Sequence, residues 1–323
     1  MPHAIRVHEA GGPEVLQWEE VEVGDPGPGE AKIRQRVAGL NFIDVYHRTG
    51  LYKQDMPFTP GVEGAGVVDA VGTGVTQVKS GDRVAYGGPI GSYAEVRLID
   101  ADKVVKLPDA ISSEQGAAMM LQGMTAHMLL RRVYAVKSGD TIVIHAAAGG
   151  VGLIVCQWAK ALGATVIGTV GSDEKAALAR AHGCDHPIVY TRQDFVAEVD
   201  RITGGAKVPV VYDSVGKDTF LKSLDCLRPR GMMVGFGNAS GAPDPFPPNL
   251  LAQKGSLFLT RPTLYNYTAT RDELQQAAGE LFAMVESGKV KIEVKQRFPL
   301  KDAGAAHRAL EARQTSGSTV LTI

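Results

Sequence analysis

The chain has 323 residues, 44% of them hydrophobic and 21% charged, with a formal net charge of -1. That length suits about two domains of ~150 residues each. The composition excludes a disordered chain, and the balanced charge offers no generic basic footprint for nucleic acid or an anionic membrane.

The first ~120 residues read as short strands bounded by Gly, Pro and Asp. Ala31–Ala38, Gly66–Val71 and Arg83–Tyr86 are rich in β-formers, and Gly and Pro crowd the segment Gly24–Gly29. This texture predicts a barrel-like, mostly antiparallel domain. After Pro108 it changes: Ser112 or Ser113 is placed to cap a helix with Gln115 in its first turn, and the apolar run Ala117–Leu130 follows.

From Thr141 strand and helix alternate. Thr141–His145 reads as a strand, Gly150–Leu162 as a helix closed by Gly163, and Thr165–Val170 as a second strand. Ser172 caps a helix through Ala181, with Asp173 and Glu174 at the positive end of its dipole. Val208–Asp213 and Met232–Phe236 are further buried strands. Such alternation predicts right-handed βαβ units and a doubly wound parallel sheet, hence an α/β class. Ser240–Asn249 is a polar, proline-rich loop, and Asp272–Ser287 an amphipathic helix. Lys291–Phe298 reads as a strand, Asp302–Ala312 as a helix and Ser318–Ile323 as a strand. This tail is expected to rejoin the N-terminal domain and make it discontinuous.

Cys156, Cys184 and Cys226 are odd in number and widely spaced, which argues against a disulfide framework and for a reducing compartment. The N-terminus lacks a basic region followed by an apolar run, and no apolar stretch nears ~20 residues, so a cytoplasmic protein is expected.

The strand Thr141–His145 runs into Ala146-Ala-Ala-Gly-Gly-Val-Gly152 and then a helix. The dinucleotide fingerprint G-x-G-x-x-G maps onto Ala147, Gly149 and Gly152. Gly149 lets the backbone approach a pyrophosphate, Gly152 lets the helix pack on the strand, and the N–H groups near Gly150 and Val151 face the anion. The flanking strand and helix supply the context that a bare glycine pattern lacks. NAD sites usually place an acid at the end of the second strand. Here the chain reads Gly171-Ser172-Asp-Glu-Lys175, which offers N–H, hydroxyl and ammonium groups to a 2′-phosphate and so favours NADPH. Asp173 is the complication, read as a first-turn helix acid that points away.

The segments Gly11–Leu16, Gly39–Asp44, Gly81–Val84, Ala146–Gly152, Gln157–Gly163, Val211–Gly216 and Gly235–Asn238 together resemble the zinc-independent quinone oxidoreductases of the medium-chain dehydrogenase/reductase superfamily, along essentially the whole chain. Zinc-dependent relatives carry Gly-His-Glu-x-x-Gly. The matching stretch is Gly61-Val-Glu-Gly-Ala-Gly66, so Val62 replaces the ligand histidine; the early ligand cysteine falls near Asn41, and no cysteine precedes Cys156. Zinc needs three or four converging ligands, so no metal is expected. His47, His127, His145 and His182 read as surface or packing residues.

The resemblance implies a GroES-like catalytic domain over residues 1–122 and 264–323 and a Rossmann domain over 123–263. It implies cofactor contacts from Asn41, Phe42, Ile43 and Tyr46 at the nicotinamide end, with Asp44 among them, and from Thr125 and Met128 nearby. Gly149, Gly150 and Val151 would meet the pyrophosphate, and Gly171, Ser172, Lys175 and Tyr190 the adenosine phosphate. Val215, Phe236, Gly237 and Asn238 would follow the later strands, Pro262, Thr263 and Leu264 would flank the nicotinamide, and Arg313 would return to a phosphate. A quinone needs only orientation and one or two donors to accept hydride, and Asn41 and Tyr46 are the catalytic candidates, with Tyr52 as a pocket wall. The alternatives are an NADPH-dependent reductase of α,β-unsaturated aldehydes or ketones and, more distantly, a non-enzymatic crystallin-like or RNA-binding protein. The resemblance further implies a homodimer formed edge to edge near residues 240–265.

Overall fold

The computed structural model describes residues 1–323. It divides into two compact units: Met1–Met124 with Thr268–Glu286 and Ile292–Ile323, and Thr125–Tyr267 with Ser287–Lys291. In the first unit β1 (His3–Arg6) and β2 (Gln17–Glu20) form an antiparallel pair. The strands β3 (Glu30–Leu40), β4 (Glu63–Val71), β5 (Arg83–Gly87), β6 (Val96–Asp100) and β7 (Val105–Lys106) follow. The expectation of short strands fails at α1 (Phe42–Arg48), a helix inside that stretch. Its β-branched and aromatic residues disfavour a helix locally, but Asn41 precedes it and the Asp44 carboxylate accepts the Asn41 N–H at 2.9 Å, one half of a capping box. The second helix, α2 (Ser113–His127), begins at a full box: Ser112 Oγ accepts the Gln115 N–H at 3.1 Å, and Gln115 Oε1 accepts the Ser112 N–H at 3.0 Å. A π-helical turn over Met128–Val133 follows it.

The second unit alternates as its sequence periodicity requires. It runs β8 (Thr141–Ile144), α3 (Gly150–Ala161), β9 (Thr165–Val170), α4 (Asp173–Ala181), β10 (His186–Val189), α5 (Phe195–Thr203), β11 (Val208–Asp213), α6 (Phe220–Ser223), β12 (Leu227–Gly235), α7 (Asn249–Gln253) and β13 (Phe258–Thr260). These strands pair in parallel in the order β10-β9-β8-β11-β12-β13. The order reverses between β8 and β11, the switch point where open parallel sheets hold ligands. Val143, Ile167, Val211 and Met233, one from each central strand, join Phe195, Phe220 and Leu257 in a single buried cluster.

The tail contributes α8 (Arg271–Glu286), β14 (Val294–Pro299), α9 (Ala303–Glu311) and β15 (Ser318–Thr322). β15 pairs antiparallel with β3 and parallel with β14, giving a sheet ordered β14-β15-β3-β4-β5-β7 with β6 also on β3. The N-terminal and C-terminal segments therefore share one mostly antiparallel sheet.

Candidate active site

In the second unit, β8 leads into the glycine turn. Gly149 precedes α3 in extended backbone (φ -81, ψ 174). A Cβ on it would meet only Ala146 O, at 3.3 Å, whereas a Cβ on Gly152 would stand 2.3 Å from that oxygen and 2.7 Å from two Ala147 backbone atoms. Gly152 is therefore required by the protein's own packing, while the space at Gly149 is open. The first-turn N–H groups of α3, at Gly150 and Val151, lack intrahelical acceptors by helix geometry and make a ready anion cradle.

At the end of β9, Ser172 Oγ accepts the Lys175 N–H at 3.2 Å. The parallel register sets Val189 of β10 opposite Val170, which brings Tyr190 beside Gly171: a Cβ on Gly171 would lie 3.1 Å from the Tyr190 hydroxyl. Asp173 does not simply point away. Arg192 clamps its carboxylate with both terminal nitrogens, Nη1 at 2.6 Å from Oδ2, and the guanidinium bonded to it holds that carboxyl below its usual range. Arg192 escaped the sequence reading because only strand pairing brings it to Asp173.

Val215, Phe236–Asn238 and Pro262–Leu264 follow the carboxyl ends of β11, β12 and β13, the edge that also carries Gly149 and Gly171. Thr125 lies on α2, and Met128 opens the π-helical turn and is buried. His145 is a packing residue: fully enclosed, it bonds Thr169 Oγ1 and Ser223 Oγ, each at 2.8 Å.

In the other unit, Asn41 sits where β3 meets α1. Its Nδ2 donates to Glu63 Oε2 at 2.7 Å, and its Oδ1 accepts from Gln122 Nε2 at 3.0 Å. Glu63 Oε1 accepts the Leu121 N–H at 2.8 Å, and the Ser318 hydroxyl lies 2.7 Å from Gln122 Oε1. Burial drives the Glu63 carboxyl up to about 8, reinforced by the nearby Asp44 charge and opposed by its bonds to Asn41 and the α2 backbone. Gly39 leaves room for this carboxyl, since a Cβ there would lie 2.4 Å from Glu63 Oε2. Asp44, expected among the cofactor contacts, is fully enclosed and turned to Asn41 N and the Tyr93 hydroxyl. Burial raises it to about 7, and its carboxylate caps the start of α1. Tyr46 packs edge-on against Tyr52 with ring centres 5.3 Å apart and tilts against Phe42 at 6.4 Å; Ile43 lies between them in sequence on α1. Arg313 follows α9 in left-handed backbone (φ 59).

The donor set does not fit zinc. Val62 cannot ligate, Glu63 is occupied by Asn41 and Leu121 N, and no three His, Cys, Asp or Glu side chains converge. Gln122 and Ser318 carried no sequence signal, being ordinary polar residues far from Asn41 along the chain.

Two family models match, an alcohol dehydrogenase GroES-like domain over residues 27–109 and a zinc-binding dehydrogenase over 150–283. The chain is 53% identical to a quinone oxidoreductase of Pseudomonas aeruginosa, covering 99% of both chains, and 48% identical to a 2-haloacrylate reductase of a Burkholderia species, again over 99% of both. The crystal structure of Escherichia coli quinone oxidoreductase complexed with NADPH superposes with a TM-score of 0.98 at 50% identity, covering 99% of this chain and 100% of that one. With this agreement along its whole length, the chain belongs to the quinone oxidoreductase family of the medium-chain dehydrogenase/reductase superfamily.

Proposed function

We propose that this chain is an NADPH-dependent quinone reductase that works without a metal. One observation carries the reading: the Gly149–Gly152 turn and the Gly171–Lys175 helix start form a dinucleotide cradle in a chain half identical to quinone oxidoreductases over its full length. NADPH, when bound, supplies the hydride. The helix start of α3 holds the pyrophosphate. Ser172, Lys175 and Tyr190 surround the 2′-phosphate, and Arg192 neutralises Asp173 so that no free acid repels it. Asn41 and Tyr46 orient the acceptor and donate to the oxygen that gains charge.

The test is a turnover panel of benzoquinone, naphthoquinones, an enone and 2-haloacrylate with NADPH and NADH, with and without chelator. Fast, chelator-insensitive, NADPH-preferring quinone reduction is expected. Fast reduction of the enone or of 2-haloacrylate with idle quinones would replace this reading with reduction of an activated carbon–carbon double bond, a second reading that the 48% identical 2-haloacrylate reductase favours.

The same reading makes the protein a cytoplasmic homodimer. No helix is long and apolar enough to cross a membrane, and all three thiols are free and buried. The edge strand β13 exposes Phe258 (57%) and Leu259 (40%), an apolar edge of the kind a second copy covers. Sedimentation should give a dimer that Phe258→Glu dissociates.

A further inference from the structure

The side chains behind Asn41 form a line with an unusual property. Glu63, Asn41, Gln122 and Ser318 come from β4, the β3–α1 junction, α2 and β15, and each is almost completely buried. Ser318 Oγ has two acceptors in reach, Gln122 Oε1 at 2.7 Å and Ala118 O at 3.0 Å, but one proton to give. With Glu63 ionised, Asn41 Nδ2 donates to Glu63, Gln122 Nε2 donates to Asn41 Oδ1, and Ser318 donates to Gln122 Oε1. With Glu63 protonated, its O–H donates to Asn41 Oδ1, both amides turn over, Gln122 Nε2 donates to Ser318 Oγ, and the Ser318 proton goes to Ala118 O. Every bond is satisfied in both arrangements, and each amide's nitrogen and oxygen exchange places while the set of occupied positions stays the same.

We propose that Glu63 is a positioning residue, acting through the line Glu63–Asn41–Gln122–Ser318 to set which way the Asn41 amide presents its donor. Protonation of Glu63 turns the Asn41 N–H pair toward Gln122 and makes it a stronger donor, because Asn41 Oδ1 then accepts from a carboxylic O–H, a stronger donor than the Gln122 amide it accepts from in the ionised arrangement. It also removes a negative charge from behind the group that would face a developing oxyanion. The neutral arrangement is thus the working one. Asp44 from α1, Tyr86 from β5 and Tyr93 from the loop after it face Glu63; Arg97 lies over the Tyr86 ring, and Arg48 stands near Tyr93. No cation pairs with Glu63, and burial outweighs the hydrogen bonds from Asn41 and the α2 backbone that favour its ionised form. The catalytic consequence rests on the role proposed for Asn41.

Glu63→Gln distinguishes the two arrangements, since the glutamine Nε2 can donate to Asn41 Oδ1 while its Oε1 accepts the Leu121 N–H, as the protonated acid does. Wild-type turnover should fall as pH rises through about 8. Glu63→Gln should keep turnover within about threefold at neutral pH and lose that alkaline limb. Glu63→Leu should lower kcat about ten- to hundredfold with little change in KM for NADPH. On the cofactor-free protein, infrared titration should show a protonated carboxyl band absent from Glu63→Gln, and the labelled Asn41 side-chain amide should shift in NMR with the same midpoint. A Glu63→Gln variant as slow as Glu63→Leu, or an Asn41 amide that ignores pH, would overturn the proposal. Wild-type turnover in Asn41→Ala, with the amide still titrating in the parent protein, would instead remove Asn41 from the mechanism and leave the positioning intact.

Discussion

The two glycines at the start of α3 should fail in different ways when each gains a methyl group. On Gly152 the new carbon would sit 2.3 Å from Ala146 O, against an ordinary contact of at least 3.4 Å, a deficit of 3.4 − 2.3 = 1.1 Å. The opposing atoms are backbone and cannot rotate away, so the start of α3 must retreat from the turn. Overpacking of this kind costs about 1–3 kcal/mol, and sometimes more. At about 2–4 °C per kcal/mol, Gly152→Ala should lower Tm by roughly 2–12 °C. It should also weaken NADPH binding, because the N–H groups move with the helix. On Gly149 the methyl meets only Ala146 O, at 3.3 Å, and the extended backbone there accepts any residue. Gly149→Ala should leave Tm almost unchanged yet lose at least tenfold in NADPH affinity, about 1.4 kcal/mol, because it fills the space a pyrophosphate needs. Thermal melts without ligand and fluorescence titration with NADPH measure the two effects. Equal Tm losses, or wild-type affinity in Gly149→Ala, would refute this division of labour.

Stability should depend on pH through the buried acids. Glu63 rises in the fold from 4.5 to about 8, so the native state holds its proton more tightly than the unfolded chain. Its contribution is complete below about 4.5 and is lost as pH rises toward 8, by on the order of 4–5 kcal/mol at about 1.4 kcal/mol per unit. Urea midpoints measured between pH 5 and 9 should fall in the wild type and fall less steeply in Glu63→Gln, where Asp44 alone remains of the two raised acids; parallel curves would exclude Glu63 as a source. Lys175→Ala should raise KM for NADPH about tenfold and leave NADH unaffected, a loss readable in steady-state rates. Arg192→Gln should do the same by freeing the Asp173 carboxylate beside the phosphate, and a variant that weakens NADH equally would contradict the arrangement.

The glycine turn between β8 and α3 was legible in the sequence because its constraints are local. Strand, glycines, helix and the Ser172 cap lie within about one βαβ unit, and each obeys a short-range rule. The capping box at Ser112 and Gln115 was partly visible for the same reason. The helix α1 was hidden because its side chains favour strand while Asn41 and Asp44 impose a helix start. Arg192 was hidden because Asp173 meets it only across the β9–β10 pairing. The residues that hold Asn41 were hidden more deeply: Glu63, Gln122 and Ser318 are brought together by the closure of a sheet whose strands lie at both ends of the chain, and although Glu63 stands in the Gly61–Gly66 motif, nothing in the local patterning ties it to Gln122 or Ser318.

That closure also orders events during synthesis. Residues 125–267 hold all six strands of the parallel sheet and have left the ribosome well before Ser318–Thr322, the strand that β3 and β14 flank. Domains fold as units as they emerge, so the parallel-sheet unit can be native while the antiparallel sheet still lacks β15. In that interval the Val37–Leu40 end of β3 is an open edge, and Gln122 lacks its Ser318 anchor. The proposed oxidoreductase is therefore born with its dinucleotide cradle complete and its acceptor site unfinished, and a stalled or truncated nascent chain should bind nucleotide before it can turn over.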